Sequence, residues 1–174
     1  MRLFFALWPT SAVADALAGL AREAVVSIGG KATRAETIHL TLAFLGEHPA
    51  AQLPAIVAAA KTVRMAPFEM TIDRLVIWRR NQLLWAGCES VPEPLPALAL
   101  ALREAMRQAG IAFDETHTTF APHVSLVRKL PAQVTENLPL FGPLLWRSER
   151  FVLVESCLSN AGPFYRVVAE FPGI

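Results

Sequence analysis

Residues 37–45 read Thr-Ile-His-Leu-Thr-Leu-Ala-Phe-Leu, and this stretch decides the fold that the sequence predicts. Apolar side chains alternate with others along it and Gly46 follows, which predicts a half-buried strand. A second stretch, residues 122–127, reads Pro-His-Val-Ser-Leu-Val and alternates in the same way. His39 and His123 stand about half a chain length apart. Each half of the chain therefore carries one copy of a histidine strand.

Each of these strands presents an imidazole and a hydroxyl on the same face. Because alternate side chains of a strand share a face, His39 lies beside Thr41 and His123 lies beside Ser125. Phe44 belongs to the opposite face and is expected in the core. Two such strands facing each other across a cleft suit a phosphodiester. One neutral imidazole acts as a base, one imidazolium acts as an acid, and the hydroxyls donate to the non-bridging oxygens.

The other two histidines lack this setting. His117 is followed by Thr118 and Thr119 and matches the bare pattern, but its surroundings are a polar loop without strand alternation. His48 directly precedes Pro49 at the predicted start of a helix and is interpreted as a surface residue. A single strand histidine is more often a packing or surface residue than a catalyst, so the prediction depends on the recurrence in both halves.

The order of predicted elements around the two histidine strands indicates a mixed fold. Strands are predicted at residues 3–8, 37–45, 68–78, 83–88, 123–127, 151–159 and 165–171, and helices at about residues 10–29, 49–64 and 92–110. The segment between the strand at 123–127 and the closing hairpin is interpreted as a short helix or loop. We expect an α+β fold of two pseudo-duplicated lobes, with two antiparallel sheets flanked by helices and a central cleft, in one domain spanning residues 1–174.

Composition excludes several classes of protein. Hydrophobic residues make up 53% and charged residues 18%, which excludes a disordered chain. A net charge of +1 lacks the basic footprint of a non-specific duplex binder but leaves room for a small anion or a strand end. Apolar runs are shorter than the roughly 20 residues of a membrane span, and the first one, before Pro9, is too short for a signal peptide. We expect a cytoplasmic monomer, with Cys88 and Cys157 as buried free thiols.

The histidine strands and their flanks resemble a known family. His39-Leu40-Thr41-Leu42 and Pro122-His123-Val124-Ser125-Leu126 resemble the twin HxTx and HxSx motifs of the two-histidine (2H) phosphoesterases. The flanks are closest to the RNA 2′,3′-cyclic phosphodiesterase branch, historically called 2′–5′ RNA ligases. They are RLFFAL at residues 2–7, HLTLAFLG at 39–46, LWAG at 84–87, FAPH at 120–123 with Arg128, and VES at 154–156 with Gly162 and Tyr165. Position 125 has Ser where the family usually has Thr. The hydroxyl is kept, but the side chain of serine rotates more freely than that of β-branched threonine.

The resemblance implies a reaction and its partners. It implies metal-free hydrolysis of the 2′,3′-cyclic phosphate of an RNA end, or of a cyclic nucleotide, to a 2′-phosphate. By resemblance, His123 is the base that activates water and His39 is the acid that protonates the leaving 3′-oxygen. Joining of RNA ends through a 2′–5′ bond is the reverse activity of relatives. No cofactor, metal or membrane is implied.

Three further features complete the candidate site. Arg128 matches the family pattern as a phosphate ligand, but it stands five residues after His123, so strict alternation puts it on the other face. A strand end or a bulge would turn it back towards the phosphate. Phe120 and Trp8 are candidates for stacking a terminal base. Arg79-Arg80 either contacts the RNA backbone or is a solvated hairpin connection.

Three other interpretations stay open. The first is a non-catalytic nucleotide-binding module on the same fold, which activity on a 2′,3′-cyclic nucleotide would exclude. The second is a metalloprotein that uses His117 and His123 with Asp114 or Glu115, a looser grouping than the usual metal-site spacings. The third is a purely structural domain, for which the duplicated pattern would be a coincidence.

Overall fold

Strands and helices alternate through the first two thirds of the chain, and strands alone follow. The computed structural model describes residues 1–115, 119–134, 137–159 and 162–174; His117 and the predicted turn at Asn160-Ala161 lie outside them. The strands are β1 (Arg2–Leu7), β2 (Lys31–Ala32), β3 (Leu40–Glu47), β4 (Phe68–Ile72), β5 (Arg74–Trp78), β6 (Leu83–Gly87), β7 (Val124–Arg128), β8 (Leu144–Ser148), β9 (Arg150–Ser159) and β10 (Gly162–Pro172). The α-helices are α1 (Ser11–Ile28), α2 (Leu53–Ala60) and α3 (Pro94–Gln108).

Antiparallel pairing joins most of the strands into one path. The order is β10-β9-β1-β3-β7-β6-β5, with β2 added to β7, and β4 pairs with β8 separately. The two histidine strands β3 and β7 meet through one pair of residues, Leu40 and Val124. That single pair divides the path into a first sheet, β10-β9-β1-β3, and a second sheet, β7-β6-β5 with β2. The predicted α+β class with antiparallel sheets is confirmed.

Each sheet takes strands from both halves of the chain. The C-terminal strand β9 pairs with β1, and β6 from the first half pairs with β7 from the second. The lobes are therefore interleaved in sequence.

Helix α1 forms as its sequence signals predict. The Thr10 hydroxyl accepts a hydrogen bond from the Val13 amide (3.4 Å) at the start of the helix. At the end, Gly29 takes a φ of 73°, a left-handed value that favours glycine. Within the described residues, no helix is long and apolar enough to span a membrane.

Strand β1 separates two apolar clusters. Leu3, Phe5 and Leu7 pack into the main core with α1 and α3. Phe4 and Ala6 point to the other face, where they cluster with Val152 and Val154 and contact Trp8 and Tyr165. This second cluster forms the floor beneath the candidate site.

Several element boundaries differ from the predicted ones. The predicted strand 68–78 is two strands in separate sheets, which are interrupted at Asp73. Its amide donates to the Gly87 carbonyl (3.0 Å), and its carboxylate accepts from the Glu89 amide (2.7 Å). Strand β8 lies where a short helix or loop was predicted. The predicted helix 49–64 begins as a 3-10 turn, and its α-helical part, α2, ends at Ala60.

Phe44 is not in the core. Strand β3 has register shifts opposite β1 that leave Leu42 and Leu45 without partners, so alternation breaks twice. Ala43 and Leu45 are buried as a result, while Phe44 pairs with Phe4 and is 47% exposed. The prediction that Phe44 belongs to the core is therefore wrong.

His48 is not a surface residue. It is 5% exposed, because the chain turns after β3 and its backbone amide donates to the Met1 carbonyl (2.8 Å). The His48 ring bonds to the Leu45 carbonyl (3.1 Å) and to the side-chain amide of Gln52 (2.7 Å). A buried histidine with both nitrogens bonded is a packing residue. Cys88 and Cys157 are free thiols, of which Cys88 is buried and Cys157 is half-buried.

Candidate active site

His39 and His123 meet at the junction of the two sheets. Each lies directly before its strand rather than inside it, and the next residues, Leu40 and Val124, form the pair that joins β3 to β7. Both histidines are half-buried. The fold thus brings the two predicted catalytic residues together from opposite halves of the chain.

The two imidazoles are anchored in the same way. Nδ1–H of His39 donates to the Thr37 carbonyl (2.7 Å), and Nδ1–H of His123 donates to the Ala121 carbonyl (2.8 Å). A carbonyl oxygen can only accept, so Nδ1 carries the proton in both rings. Nε2 of each ring is then the nitrogen that can take or give a proton. In both cases the anchor is the carbonyl two residues earlier, a repeat that the side-chain pattern alone does not reveal.

A β-bulge places Arg128 on the site. On β7, Val127 pairs with Leu84 and Ser125 pairs with Trp85, so Leu126 has no partner on β6. The extra residue restores Arg128 to the face of Ser125. Nη2 of Arg128 donates to the Ser125 hydroxyl at 3.0 Å. Strict alternation, which puts Arg128 on the opposite face, is therefore wrong here, and the bulge considered as the other possibility is present.

The hydroxyl of the first strand lies on the matching face of β3. Thr41 pairs with Ala6, which belongs to the cluster beneath the site, and Thr41 is half-buried. The four residues of the twin motifs are thus on the cleft side of their strands.

A cationic cavity opens beside His39, and we call it the His39 cavity. It has a volume of about 370 Å³, within the usual range for small-molecule sites. Its lining residues are Lys31, Ala32, Thr33, Arg34, Thr37, His39, Ser125, Arg128, Lys129 and Tyr165. Four of these are cationic and none is acidic, so the cavity is complementary to an anion.

Aromatic rings enclose His39. The Trp8 ring stacks on the imidazole with centroids 5.6 Å apart and an angle of 8°. Phe4 lies 5.0 Å away and Tyr165 meets the imidazole edge-on at 5.1 Å. One face of Trp8 is thus occupied by His39, while Phe120 packs against the main core and is not among the cavity's lining residues. Base stacking by Trp8 and Phe120 stays a prediction.

Two tryptophans flank His123, and sequence reasoning gave neither a role. Trp78 contacts the imidazole edge-on with centroids 4.8 Å apart, and Trp85 lies 6.1 Å away. The pairing of β6 with β7 could have identified Trp85, because it places Trp85 opposite Ser125. A second cavity of about 470 Å³, the His123 cavity, is lined by Ile77, Trp78, Arg79, Arg80 and Asn81.

Burial makes both imidazoles weak bases. Desolvation lowers the pKa of His39 to about 4, and the positive charge of Arg128 acts in the same direction. Desolvation also lowers the pKa of His123, again with a contribution from Arg128. Both shifts therefore favour the neutral imidazole.

The residues of the metalloprotein interpretation are dispersed or undescribed. Glu115 forms an ion pair with Arg107 (3.0 Å), and His117 lies outside the described residues. Within the described part of the chain, no group of three or more His, Cys, Asp or Glu side chains is placed to hold a metal ion.

Comparisons with known proteins agree on one family. Residues 7–85 match the family model described as LigT like phosphoesterase. The chain is 31% identical over 140 residues to the RNA 2′,3′-cyclic phosphodiesterase of Escherichia coli strain K12, covering 80% of this chain and 78% of that protein. It is 31% identical over 179 residues to the enzyme of the same name from Thermus thermophilus, covering 98% and 89%.

Solved structures share the whole fold. Escherichia coli LigT complexed with 3′-AMP superposes with a TM-score of 0.88 at 28% identity, over 99% of this chain and 97% of that one. TT0787 of Thermus thermophilus superposes with a TM-score of 0.81 at 30% identity, over 99% and 97%.

Proposed function

Because the chain belongs to the LigT-like phosphoesterase family, we propose that it is an RNA 2′,3′-cyclic phosphodiesterase that opens the cyclic phosphate to a 2′-phosphate. The observation that carries this proposal is the pair of imidazoles, each held by Nδ1–H on a backbone carbonyl (2.7 and 2.8 Å) with Nε2 left to move a proton. Relatives with this name and nucleotide complexes of LigT support the same ligand class.

The phosphate sits against the hydroxyls and the guanidinium. Ser125 and Thr41 donate to the non-bridging oxygens, and Arg128 balances their negative charge. The Arg128–Ser125 hydrogen bond of 3.0 Å supports this role, because it holds both groups on one side of the site. The sugar and the preceding nucleotide lie in the His39 cavity, whose four cations suit a polyanionic strand.

Two coupled proton transfers accompany the reaction. Nε2 of His123 takes a proton from water as the water oxygen bonds to phosphorus. The bond from phosphorus to the 3′-oxygen breaks, and Nε2–H of His39 gives its proton to that oxygen. This assignment follows the family resemblance, and His39 lines the cavity that we propose for the nucleotide.

His39, the proposed acid, must be protonated for the reaction, although its desolvated surroundings favour the neutral imidazole. Desolvation holds the pKa of His39 at about 4, so an imidazolium forms there only with a compensating anion. The phosphodiester is such an anion, and its binding raises the pKa of both imidazoles. The proton therefore enters the site together with the substrate.

The same site also joins RNA ends when a 5′-hydroxyl replaces water. The hydroxyl oxygen then bonds to phosphorus, His123 takes its proton, and the product is a 2′–5′ linkage. We further propose that the enzyme is a cytoplasmic monomer acting on RNA ends or cyclic nucleotides, without a metal.

Product analysis tests this function. An RNA with a 2′,3′-cyclic phosphate end is incubated with the protein in excess chelator, and we expect a 2′-phosphate end. His39→Ala and His123→Ala should each lower kcat by about 10²–10⁴, while His117→Ala serves as the near-neutral control. Binding of a cyclic nucleotide without turnover would instead identify a nucleotide-binding module, and loss of activity in chelator would contradict the metal-free mechanism.

A further inference from the structure

Two lysines of the His39 cavity have no part in the hydrolysis described above. Lys31 and Lys129 line the cavity together with Ser125 and Arg128, and they are two of the three lysines in the chain. Both are exposed, and neither ammonium group makes a hydrogen bond or an ion pair with the described residues. Their positive charges are therefore available to a ligand.

The backbone places both lysines beside Arg128. Lys31 on β2 lies directly opposite Arg128 on β7, and residues paired in this way share a face of the sheet. Consecutive residues of a strand point to opposite faces, so an extended Lys129 would turn away from the face of Arg128. Lys129 instead takes a φ of 57°, a left-handed value that is uncommon outside glycine. As a result, Arg128 and Lys129 line the same cavity.

The residue after Lys129 holds this left-handed conformation in place. The Leu130 amide donates to the Gln82 carbonyl (3.1 Å), and the Leu130 side chain is buried in the main core. A left-handed backbone at a residue other than glycine costs free energy, and such residues concentrate where a protein holds a ligand. The conformation of Lys129 is therefore a second sign, besides charge, that this part of the cavity binds an anion.

The position of the cyclic phosphate indicates which anion the lysines bind. In the proposed function, that phosphate lies against Ser125 and Arg128, which are joined by a hydrogen bond of 3.0 Å. The next negative charge of an RNA strand is the phosphate on the 5′-oxygen of the same nucleotide, one sugar away. Lys31 and Lys129 flank Arg128, so they meet this second phosphate while the first is in place. The same holds whichever histidine is the acid.

We propose that Lys31 and Lys129 bind the 5′-phosphate of the nucleotide that carries the cyclic phosphate. This inference rests on the proposed function and decides between its two classes of substrate. An ammonium group binds a phosphate as a point charge. A cyclic phosphate of a free nucleoside leaves both lysines without a partner, whereas an RNA end supplies the phosphate they need. The protein therefore acts on RNA ends in preference to cyclic nucleotides that lack a 5′-phosphate.

Three substrates with different 5′ groups test this phosphate subsite. Adenosine 2′,3′-cyclic phosphate has a 5′-hydroxyl, its 5′-phosphorylated derivative has a phosphomonoester, and an adenosine dinucleotide with a 2′,3′-cyclic end has a phosphodiester. In the wild type, kcat/KM should be about 10-fold higher for the second and third substrates than for the first, as for two exposed charge contacts. The logarithm of kcat/KM should also fall more steeply with the logarithm of salt concentration, by roughly 0.7 in slope, for those two substrates.

Substitution of the lysines should remove this preference and leave the reacting atoms untouched. Lys31→Gln and Lys129→Gln should each reduce the preference about 3-fold, and the double variant should bring it close to one. In these variants, kcat for the substrate with a 5′-hydroxyl should stay within about twofold of the wild type. Lys129→Arg keeps the charge and should keep most of the preference. Lys61→Gln, the matched control at the remaining lysine, which is exposed, should leave it unchanged.

The failure of this subsite is distinct from the failure of the proposed function. Equal kcat/KM values for the three substrates in the wild type would overturn the subsite, and so would an equal loss on all three in the lysine variants. A preference for the dinucleotide that the 5′-phosphorylated nucleotide does not share would also overturn it, because the second nucleoside would then be the group that is bound. Hydrolysis of none of the three by the wild type would instead refute the proposed function.

Discussion

The enclosure of His39 couples the site to the stability of the fold. Its pKa is lowered to about 4, against about 6.5 in an unfolded chain. Below about pH 6.5 the unfolded chain takes up a proton that the folded chain refuses until about pH 4, so stability is lost as the pH falls through that window. The residue that we propose as the proton donor thus makes the protein acid-sensitive.

We expect this loss to disappear with the imidazole. Between about pH 8 and pH 4.5 the wild type should lose roughly 2–3 kcal/mol more unfolding free energy than His39→Asn, which has nothing to titrate. Denaturant unfolding of both proteins at the two pH values measures the difference. An identical pH dependence in the two proteins would show that His39 is not desolvated.

Activity should follow the same lowered pKa values. The proposed mechanism requires one protonated and one neutral imidazole, and kcat/KM reports these groups in the free enzyme. Because both pKa values lie below 6.5, kcat/KM should fall as the pH rises above about 6.5. Arg128→Gln removes a positive charge that lowers both pKa values, so both limbs should move to higher pH. A maximum of kcat/KM at alkaline pH would contradict the desolvation argument.

The hydroxyl at Ser125 is held in place by Arg128. The hydrogen bond of 3.0 Å restrains a rotor that would be free in an isolated serine. Ser125→Ala should lower kcat by about 10²–10³, the usual cost of one donor to a developing oxyanion. Ser125→Thr, which restores the residue usual in the family, should change kcat by less than about threefold by the same reasoning. If both variants behaved alike, the hydroxyl would not touch the phosphate.

Among the elements, strand β3 departs most from its sequence pattern. Alternation correctly predicts a strand with His39 and Thr41 on the cleft side, because period-two patterning is local. It fails beyond Leu42, because a bulge depends on how β1 pairs with β3, which the sequence of β3 alone does not contain. The bulge at Leu126 has the same origin, and it is what returns Arg128 to the site.

The break in alternation predicts different losses of unfolding free energy when two neighbouring residues, Phe44 and Leu45, are truncated. Phe44 is 47% exposed and Leu45 is 4% exposed. Leu45→Ala should cost about 2–4 kcal/mol of unfolding free energy, as for other buried leucines, whereas Phe44→Ala should cost less than about 1 kcal/mol. Thermal or denaturant unfolding of the matched pair measures this. The reverse order would mean that β3 pairs with β1 in the unbroken register.

Contacts between distant segments were beyond sequence reasoning for a different reason. Trp8 and Trp78 each contact a histidine, yet they lie in segments far from it in the chain. The hydrophobic pattern along one strand or helix does not indicate which other segment of the chain will pack against it. Strand alternation predicted that each histidine shares a face with a hydroxyl, and only the folded chain reveals the unequal aromatic surroundings of the two imidazoles.

Interleaving of the halves determines how the molecule as a whole unfolds. Since β9 completes the first sheet and β6 and β7 come from different halves, neither sheet can form from one contiguous half. We propose that residues 1–174 form one cooperative domain. Tryptophan fluorescence reports Trp8 in one lobe, Trp78 and Trp85 in the other, and the buried Trp146 on β8. It should give the same denaturation midpoint as far-ultraviolet circular dichroism. Two separate transitions would contradict a single domain.

The identical anchoring of the two imidazoles has one more consequence. Each ring is held by a carbonyl two residues earlier, so the backbone itself treats both half-sites alike. What breaks this internal symmetry is the neighbourhood: three aromatic rings around His39, two tryptophans and an open cavity beside His123. The surrounding side chains, and not the repeated motif, are therefore the feature that would give the two imidazoles different roles in the proposed reaction.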